Sequence, residues 1–303
     1  RGKGGRAEAC RYGLEPECPE CGGDGPMPPS GVIGTRTNTV ARLELDEPND
    51  RFNIRMEQGV SKAEIEAADE AGTVDNDRLQ CPACGRATPI KMIRGDQRGE
   101  NGTSNALRRW TNDDVAPRPG DTFQERLYCV RWEETYLDED GNEKTRRHYR
   151  TVTDADRRRE QKVQRLLEDR FDEWQENGYI PSRRIEPGNK TDEPIRTRGW
   201  THWHHLFNPR QLLTLGLYQR EAVRVSGKEA ERAGNLLELG RLADTKGIGA
   251  KILRWNSHRS KEMHATVFSN QALNTLFDFC HRPLATTSPS GEATATVSAD
   301  GRI

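Results

Sequence analysis

The chain is organised around one stretch of sequence, Gly199-Trp-Thr-His-Trp-His-His-Leu-Phe-Asn-Pro-Arg-Gln-Leu-Leu213. Asn208 suits a helix N-cap, because its side-chain oxygen can accept from the free amides of the first turn. Pro209 follows at the first helical position, where its missing N–H costs nothing and its fixed φ fits the helix. We therefore predict a loop that buries the aromatic side chains of Trp203 and Phe207 and then begins a helix.

This stretch contains three histidines, His202, His204 and His205. They resemble a metal-binding cluster, but no carboxylate or fourth ligand is spaced to complete a site with them, and we favour the interpretation that they bind no metal. Trp200 is interpreted as a packing anchor in preference to a platform for stacked bases, since aromatic residues at a helix entry usually hold it to a neighbouring element. We expect the histidines to matter less to stability than Phe207.

The composition of the 303-residue chain limits what kind of protein it is, since 32% of its residues are hydrophobic and 31% are charged. The length allows two domains with modest cores. The formal net charge is −1, so any nucleic-acid-binding surface must be local. No apolar run approaches the roughly 20 residues needed to span a bilayer, and no secretory leader is visible. We expect a cytoplasmic protein with no membrane partner, and interpret the chain as part of a longer one.

Four of the seven cysteines occur in two nearly identical motifs, Cys18-Pro-Glu-Cys21-Gly and Cys81-Pro-Ala-Cys84-Gly. Each motif places two thiolates on one tight turn, and the glycine lets backbone amides point back at the sulfurs. Two such turns complete a tetrahedral four-sulfur site, which suits Zn²⁺. The alternative is free thiols or a disulfide, which needs an oxidising compartment. We predict one zinc ion bound by Cys18, Cys21, Cys81 and Cys84.

The N-terminal half is predicted to be rich in β-strands. Alternating apolar residues in 40–45 and 52–56 flank a polar turn, which indicates a β-hairpin. A second hairpin, over 123–152, has a turn signal at Asp140-Gly141. Residues 18–152 thus form a predicted zinc-ribbon β-rich domain, in which the metal compensates for a small apolar core.

Three shorter segments complete the prediction for this half. Residues 1–17 are rich in Gly and Arg, and we predict a loose segment there. Ser61 and Glu64 have the spacing of a capping box, which indicates a short helix inserted between the cysteine motifs. Residues 89–93 follow the second motif and are interpreted as a strand.

The C-terminal half is predicted to be helical. Amphipathic spacing indicates helices over four ranges, 153–178, 209–225, 228–244 and 272–279. Residues 153–285 therefore form a predicted helical domain, and residues 286–303, rich in Ser, Thr, Ala and Gly, a disordered tail. The predicted class is α+β, with a zinc-ribbon β-rich domain followed by an α-helical domain.

A basic run from Arg241 to Lys261 has six Lys or Arg residues against Asp244 alone. Phosphate contacts from these cations, with one tryptophan to stack on a base, would suit a strip that faces DNA. An ordinary solvated surface, or a face that packs on an acidic partner, is the alternative. The candidate nucleic-acid contacts are Lys251, Arg254, Trp255, Arg259 and Lys261.

The order of these motifs resembles that in a family of large adenine-specific DNA methyltransferases that carry a zinc ribbon and begin with a domain of formerly unknown function. The resemblance covers most of residues 18–284. Besides the two cysteine motifs it rests on residues 28–30, 203–213, 254–256, 268–273 and 277–279. The chain departs from the family at Phe277, where the family often has Trp, and at His281, which opens a shortened form of the usual ending.

The resemblance implies a function through a parent enzyme. Such an enzyme transfers a methyl group from S-adenosylmethionine to an adenine amino group in DNA, after taking the base out of the stack. In the family the cofactor motif precedes the matching region and the Pro-Pro-Tyr motif for adenine follows it, and neither has a counterpart here. We therefore expect a DNA-recognition region that is inactive alone. Its partners would be DNA and the remaining methyltransferase domains, and the parent enzyme would hold S-adenosylmethionine.

Two alternatives from other classes stay open. One is a stand-alone zinc-ribbon protein that binds nucleic acid, which the near-neutral charge disfavours. The other is a protein-interaction scaffold, for which the amphipathic helices and the absence of catalytic motifs are sufficient. Whether the parent methyltransferase serves restriction or defence against phage is equally open.

Overall fold

The computed structural model describes residues 5–47, 51–100, 102–244, 248–252, 254–257, 262–264 and 273–282. The predicted disordered tail, residues 286–303, lies outside these ranges. No helix within them combines the length and the apolar character that crossing a membrane requires.

The chain mixes strands and helices throughout. The strands up to residue 151 are β1 (Gly5–Glu15), β2 (Val32–Gly34), β3 (Thr39–Asp46), β4 (Arg51–Gln58), β5 (Val74–Asp75), β6 (Arg78–Gln80), β7 (Ala87–Pro89), β8 (Gln97–Gly99), β9 (Gly102–Ser104), β10 (Gln124–Leu137) and β11 (Glu143–Thr151). The helices are α1 (Lys62–Glu70), α2 (Ile90–Ile93), α3 (Asp154–Glu168), α4 (Phe171–Glu176), α5 (Asp192–Arg198), α6 (Pro209–Val225) and α7 (Glu229–Asp244). Three short strands follow, β12 (Trp255–Asn256), β13 (Met263–His264) and β14 (Asp278–His281).

The largest sheet has the strand order β11-β10-β1-β14, and every neighbouring pair is antiparallel. The prediction of a loose segment over 1–17 is therefore wrong, because Gly5–Glu15 is an inner strand. Residues 8–14 of this strand are all buried, so it shows no alternation of apolar and polar residues. Its buried charges are paired, as Arg11 is with Asp278 at 2.8 Å.

The last strand of this sheet corrects the prediction of a helix over 272–279. Asp278–His281 pairs with β1 instead, with Cys10 opposite His281. One buried cluster contains Ala9 and Tyr128 from the N-terminal half together with Trp200 and Cys280 from the C-terminal half. The predicted boundary between residues 152 and 153 thus does not separate two cores, since the sheet joins segments that are distant in sequence.

The predictions that rest on short sequence patterns agree with the structure better than those of the long-range sheet. Both predicted hairpins are present, as β3–β4 and β10–β11, and the Ser61–Glu64 capping box begins α1. The predicted strand over 89–93 is wrong, because the chain enters the helical turn α2 at Ile90. The helix predicted over 153–178 is divided into α3 and α4 at Asp169 and Arg170.

The stretch 199–213 forms a 3₁₀ turn, Trp203–Leu206, and then α6. Asn208 caps α6 as predicted. Its side-chain oxygen accepts a hydrogen bond from the backbone N–H of Gln211, and its own backbone N–H donates to the side-chain oxygen of Gln211. The predicted burial is wrong, because Trp203 and Phe207 are only half-buried while the three histidines are buried. The tight turn directs the histidine rings inwards.

Both ring nitrogens of the buried His205 have hydrogen-bond partners. Its Nδ1 accepts the backbone N–H groups of Thr201 at 3.0 Å and His202 at 3.2 Å. Nδ1 therefore carries no proton, and Nε2 donates to the carbonyl oxygen of Thr111 at 3.0 Å. Burial lowers the pKa of His205 to about 2 and that of His204 to about 4, so both are neutral in the folded chain at neutral pH.

These histidines predict acid-sensitive stability. When the chain unfolds, each titrates near its ordinary pKa of about 6.5, so unfolding takes up protons below that pH. The free energy of unfolding should fall from about pH 6.5 towards 4, by up to about 1.4 kcal/mol per pH unit for each histidine. Urea unfolding at several pH values measures this slope. His204→Phe should reduce the slope of unfolding free energy against pH by the equivalent of about one proton. Equal slopes for the wild type and this variant would contradict the prediction.

Candidate metal centre

Two tight turns carry the cysteine pairs. Cys18 and Cys21 follow β1, and the Gly22 amide donates to the Cys18 carbonyl at 2.8 Å. Cys81 and Cys84 lie between β6 and β7, where the Gly85 amide donates to the Cys81 carbonyl at 2.9 Å. The φ angles of the two glycines are 76° and 70°, in the left-handed region that glycine adopts without strain. The glycine after each second cysteine is thus required by the turn.

The four sulfurs lie within 4.8 Å of one another. Cys18 Sγ is 4.0 Å from Cys84 Sγ, and Cys21 Sγ is 3.7 Å from Cys81 Sγ. A tetrahedral ion with metal–sulfur bonds of about 2.3 Å needs neighbouring sulfurs about 3.8 Å apart, whereas a disulfide needs about 2.05 Å. The distances fit four ligands of one metal ion such as zinc, and they exclude disulfide bonds between the pairs.

Backbone amides stabilise negative charge on these sulfurs. The Arg86 amide bonds to Cys84 and is the main cause of the lowered pKa of that thiol. The Cys81 sulfur receives the amides of Ala83 and Cys84, although burial raises its pKa to about 12. Holding a thiolate at Cys81 therefore requires an adjacent cation, which a bound metal ion supplies.

The cysteine turns close over a small apolar cluster. It consists of Leu14, Met27, Leu79, Ile90, Leu107 and Phe123, which come from segments on both sides of the cysteine motifs. Arg86 and Glu20 form an exposed ion pair at 2.7 Å that joins one turn to the other. Thr73, just before β5, donates hydrogen bonds to the carbonyls of Pro26 at 2.6 Å and Pro28 at 3.0 Å, which joins the segment after β1 to the β5–β7 sheet. A metal ion held by the four cysteines would add a further link.

Other potential ligands are not arranged around a metal. Within the described ranges, the four cysteines are the one group of three or more His, Cys, Asp or Glu side chains whose ligand atoms are close enough to share an ion. Cys10, Cys129 and Cys280 are buried in the main sheet, and burial raises the pKa of each to about 12. These three thiols are protonated at neutral pH and pack as small apolar side chains.

The prediction of a strip that faces DNA is wrong for Lys251 and Trp255, because both side chains are buried. Lys251 is 1% exposed, its Nζ lies 2.7 Å from Glu125, and it sits over the rings of Trp110 and Trp200. Trp255 is buried and donates its indole N–H to the Ile33 carbonyl at 3.0 Å.

The other three candidate nucleic-acid contacts are Arg254, Arg259 and Lys261. Arg254 is exposed, whereas Arg259 and Lys261 lie outside the described residues. Lys251 and Trp255 therefore hold the core and cannot reach a nucleic acid without unfolding it. Their burial depends on Glu125 and Ile33, more than a hundred positions earlier, so no local pattern could have indicated it.

Sequence reasoning missed a second feature, a basic cleft beside the second cysteine turn. Its walls come from residues 76–96 and 193–198, with Thr275 and Phe277 at one side. The cations that line it are Arg78, Lys91, Arg94, Arg196 and Arg198. No single segment is strongly basic, and only the fold gathers them.

Comparison of the chain with protein-family models, with curated proteins and with solved structures gives no match. Inference about function therefore rests on the chemistry of its two sites, the four-cysteine centre and the basic cleft. The first is a closed set of soft ligands, and the second is an open surface of positive charge.

We expect the metal to depend on each of the four thiolates. Cys84 is exposed, so Cys84→Ala leaves no buried cavity and removes only a ligand. Native mass spectrometry should find one metal ion per wild-type chain and none in this variant. Chelation should lower the melting temperature of the wild type and leave that of Cys84→Ala unchanged.

The matched control is Cys129→Ala, which removes a buried thiol outside the centre. It should lose stability through the cavity it creates but keep its metal. Metal retained by Cys84→Ala, or lost from Cys129→Ala, would show that the four cysteines are not the binding site.

Proposed function

We propose that Cys18, Cys21, Cys81 and Cys84 bind one structural zinc ion, and that the chain is the DNA-recognition region of an adenine-specific, S-adenosylmethionine-dependent DNA methyltransferase. The observation that carries the proposal is the four-sulfur cluster formed by the two repeated motifs. Four thiolates fill the tetrahedral sphere of zinc and leave no open position for water or substrate, which is typical of structural sites.

The second support is the resemblance itself. Its segments supply the framework of this fold: Leu206 and Trp255 share one buried cluster, and the cysteine motifs enclose another. Phe279 stacks on Tyr12 of the first strand, with ring centroids 5.1 Å apart. The shared motifs therefore correspond to packing residues and metal ligands, and the resemblance concerns the framework more than any contact with DNA.

Under this proposal, this chain and the remaining domains of the parent enzyme have different roles. The remaining domains of the parent enzyme would bind S-adenosylmethionine and the flipped adenine. This chain would hold the duplex in register through phosphate contacts, which position a protein on DNA. Since Lys251 and Trp255 are buried, these contacts would come from exposed cations elsewhere on the chain.

A protein-interaction scaffold is the second candidate, and one surface favours it. The end of α6 and the middle of α7 expose Val225, Leu236 and Leu237, with exposed fractions of 65%, 56% and 79%. Neighbouring exposed apolar side chains of this size often mark an interaction site. The remaining methyltransferase domains would be a suitable partner, so the two candidates are compatible.

Activity assays test the proposal directly. The isolated chain, incubated with labelled S-adenosylmethionine and adenine-containing duplex DNA, should incorporate no methyl group above background. Methyl transfer needs a pocket that aligns the cofactor with the adenine nitrogen, and the sequence has neither motif for it. Methylation by this chain alone would contradict its assignment as a non-catalytic region.

Fluorescence anisotropy with the same duplex separates a DNA-binding region from a scaffold. Binding should weaken steeply between about 50 and 200 mM salt if phosphate contacts provide the affinity. Undetectable binding at low salt by the metal-loaded chain would remove the DNA-recognition part of the proposal and leave the scaffold.

A further inference from the structure

The basic cleft has a volume of about 680 Å³ and separates α5 from the β6–α2 region. Its acidic residues are fewer than its five cations and comprise Asp77, Asp96 and Glu193. A cleft of this size with an excess of positive charge suits an anionic ligand.

Two of the three acids already have partners within the chain. Asp96 is paired with Arg94 at 2.5 Å, and both side chains are largely buried. Glu193 accepts hydrogen bonds from the backbone amide of Thr275 at 2.7 Å and from its hydroxyl at 3.0 Å. Thr275 is neutral, so Glu193 keeps its charge. Asp77 and Glu193 therefore face the four other cations of the cleft, which are Arg78, Lys91, Arg196 and Arg198.

Arg198 is the unusual member of this set, because it is 6% exposed and has no carboxylate partner in the described part of the chain. Its guanidinium lies between the rings of Phe123 and Phe277, at 4.8 and 5.2 Å from their centroids. Two of its nitrogens donate to the carbonyls of Thr197 and Leu276, whereas Nε has no hydrogen-bond partner among the residues that the structure describes.

A buried cation without a directly paired carboxylate is costly, since carbonyl groups replace only part of its lost hydration. Burial, followed by repulsion from Arg94, lowers the pKa of Arg198 to about 9, and the charges of Glu193 and Glu125 offset only part of this effect. An anion in the cleft would supply the missing charge, and the unpartnered side chain borders that cleft.

We propose that this cleft binds a phosphate group, with Arg198 as its buried counter-charge and Lys91 and Arg196 as exposed contacts. Arginine suits phosphate because its planar N–H groups match the phosphate oxygens, and lysine adds a mobile point charge. The phosphate belongs to a nucleic-acid backbone or to a small phosphorylated ligand, which share this chemistry. The first source rests on the proposed DNA-recognition function and would identify its contact surface.

The test replaces the two exposed cations. Lys91→Gln combined with Arg196→Gln removes two charges from the cleft without disturbing a buried side chain. Arg55→Gln combined with Lys62→Gln removes the same number of exposed charges outside the cleft and is the matched control. Circular dichroism establishes that both variants remain folded. A third variant, Arg198→Met, removes the buried charge.

The first arm of the test uses inorganic phosphate against chloride at equal ionic strength. Phosphate should raise the melting temperature of the wild type and of the control, because a ligand of the folded state stabilises it. The cleft variant should bind phosphate at least tenfold more weakly. Arg198→Met should lose the response to phosphate even if its melting temperature without phosphate changes.

The second arm uses a short DNA duplex and fluorescence anisotropy at several salt concentrations. If backbone phosphates occupy the cleft, its variant should bind at least tenfold more weakly than the control. The plot of log affinity against log salt should also become less steep by about 2, since each lost phosphate contact removes about 0.9 from the magnitude of its slope.

The outcomes separate the two sources and the two proposals. Losses in both arms assign the cleft to the nucleic-acid backbone, and a loss confined to inorganic phosphate assigns it to a small phosphorylated ligand. Equal behaviour of the cleft and control variants in both arms overturns the phosphate site. Salt-dependent DNA binding that persists in that case would leave the proposed function standing, with its contacts elsewhere.

Discussion

The pairing of Arg11 with Asp278 is the interaction on which the rest of the structure depends. Arg11 is 4% exposed, lies 2.8 Å from the carboxylate of Asp278 and covers the rings of Tyr128 and Trp255. A buried guanidinium requires a buried partner, so this pair ties the first strand of the sheet to the last. Slipping β14 by one residue would leave both charges unpaired, and the ion pair therefore helps to set the register in which Gly13 faces Asp278.

The same principle applies across the core, because only 32% of the residues are hydrophobic. Lys251 is enclosed by two tryptophans and neutralised by Glu125, and the buried Glu8 is paired with Arg131 at 2.9 Å. Neutral histidines fill the space beside Trp110, with His205 in edge contact at 5.1 Å. Such polar groups contribute less net stability than apolar ones, but each tolerates only its own partner, which favours one packing arrangement.

The two candidate sites differ in how they relate to this core. The four cysteines adjoin one of the buried apolar clusters, and a metal ion held by them would add to the stability of that packing. The basic cleft is lined by side chains of β6, which precedes the second cysteine turn, and of α2 and α5, which follow it. The cations of the cleft thus come from segments that are separate in sequence, and only the fold brings them to one open charged surface.

The sequence by itself determined the features that depend on neighbouring residues. The caps at Ser61 and Asn208, the two hairpins and the glycine-closed cysteine turns all follow from contacts within a few positions. Even the four-cysteine cluster could be predicted, because the motif is repeated and thiolates have few other reasons to recur at that spacing. Only the tertiary structure decided that residues 5–15 and 278–281 are strands of one sheet, that Lys251 and Trp255 are buried, and that Arg198 has no ion-pair partner among the described residues. Each of these depends on partners from distant segments, and a charged residue has the same local pattern whether its partner is water, a carboxylate or a ligand.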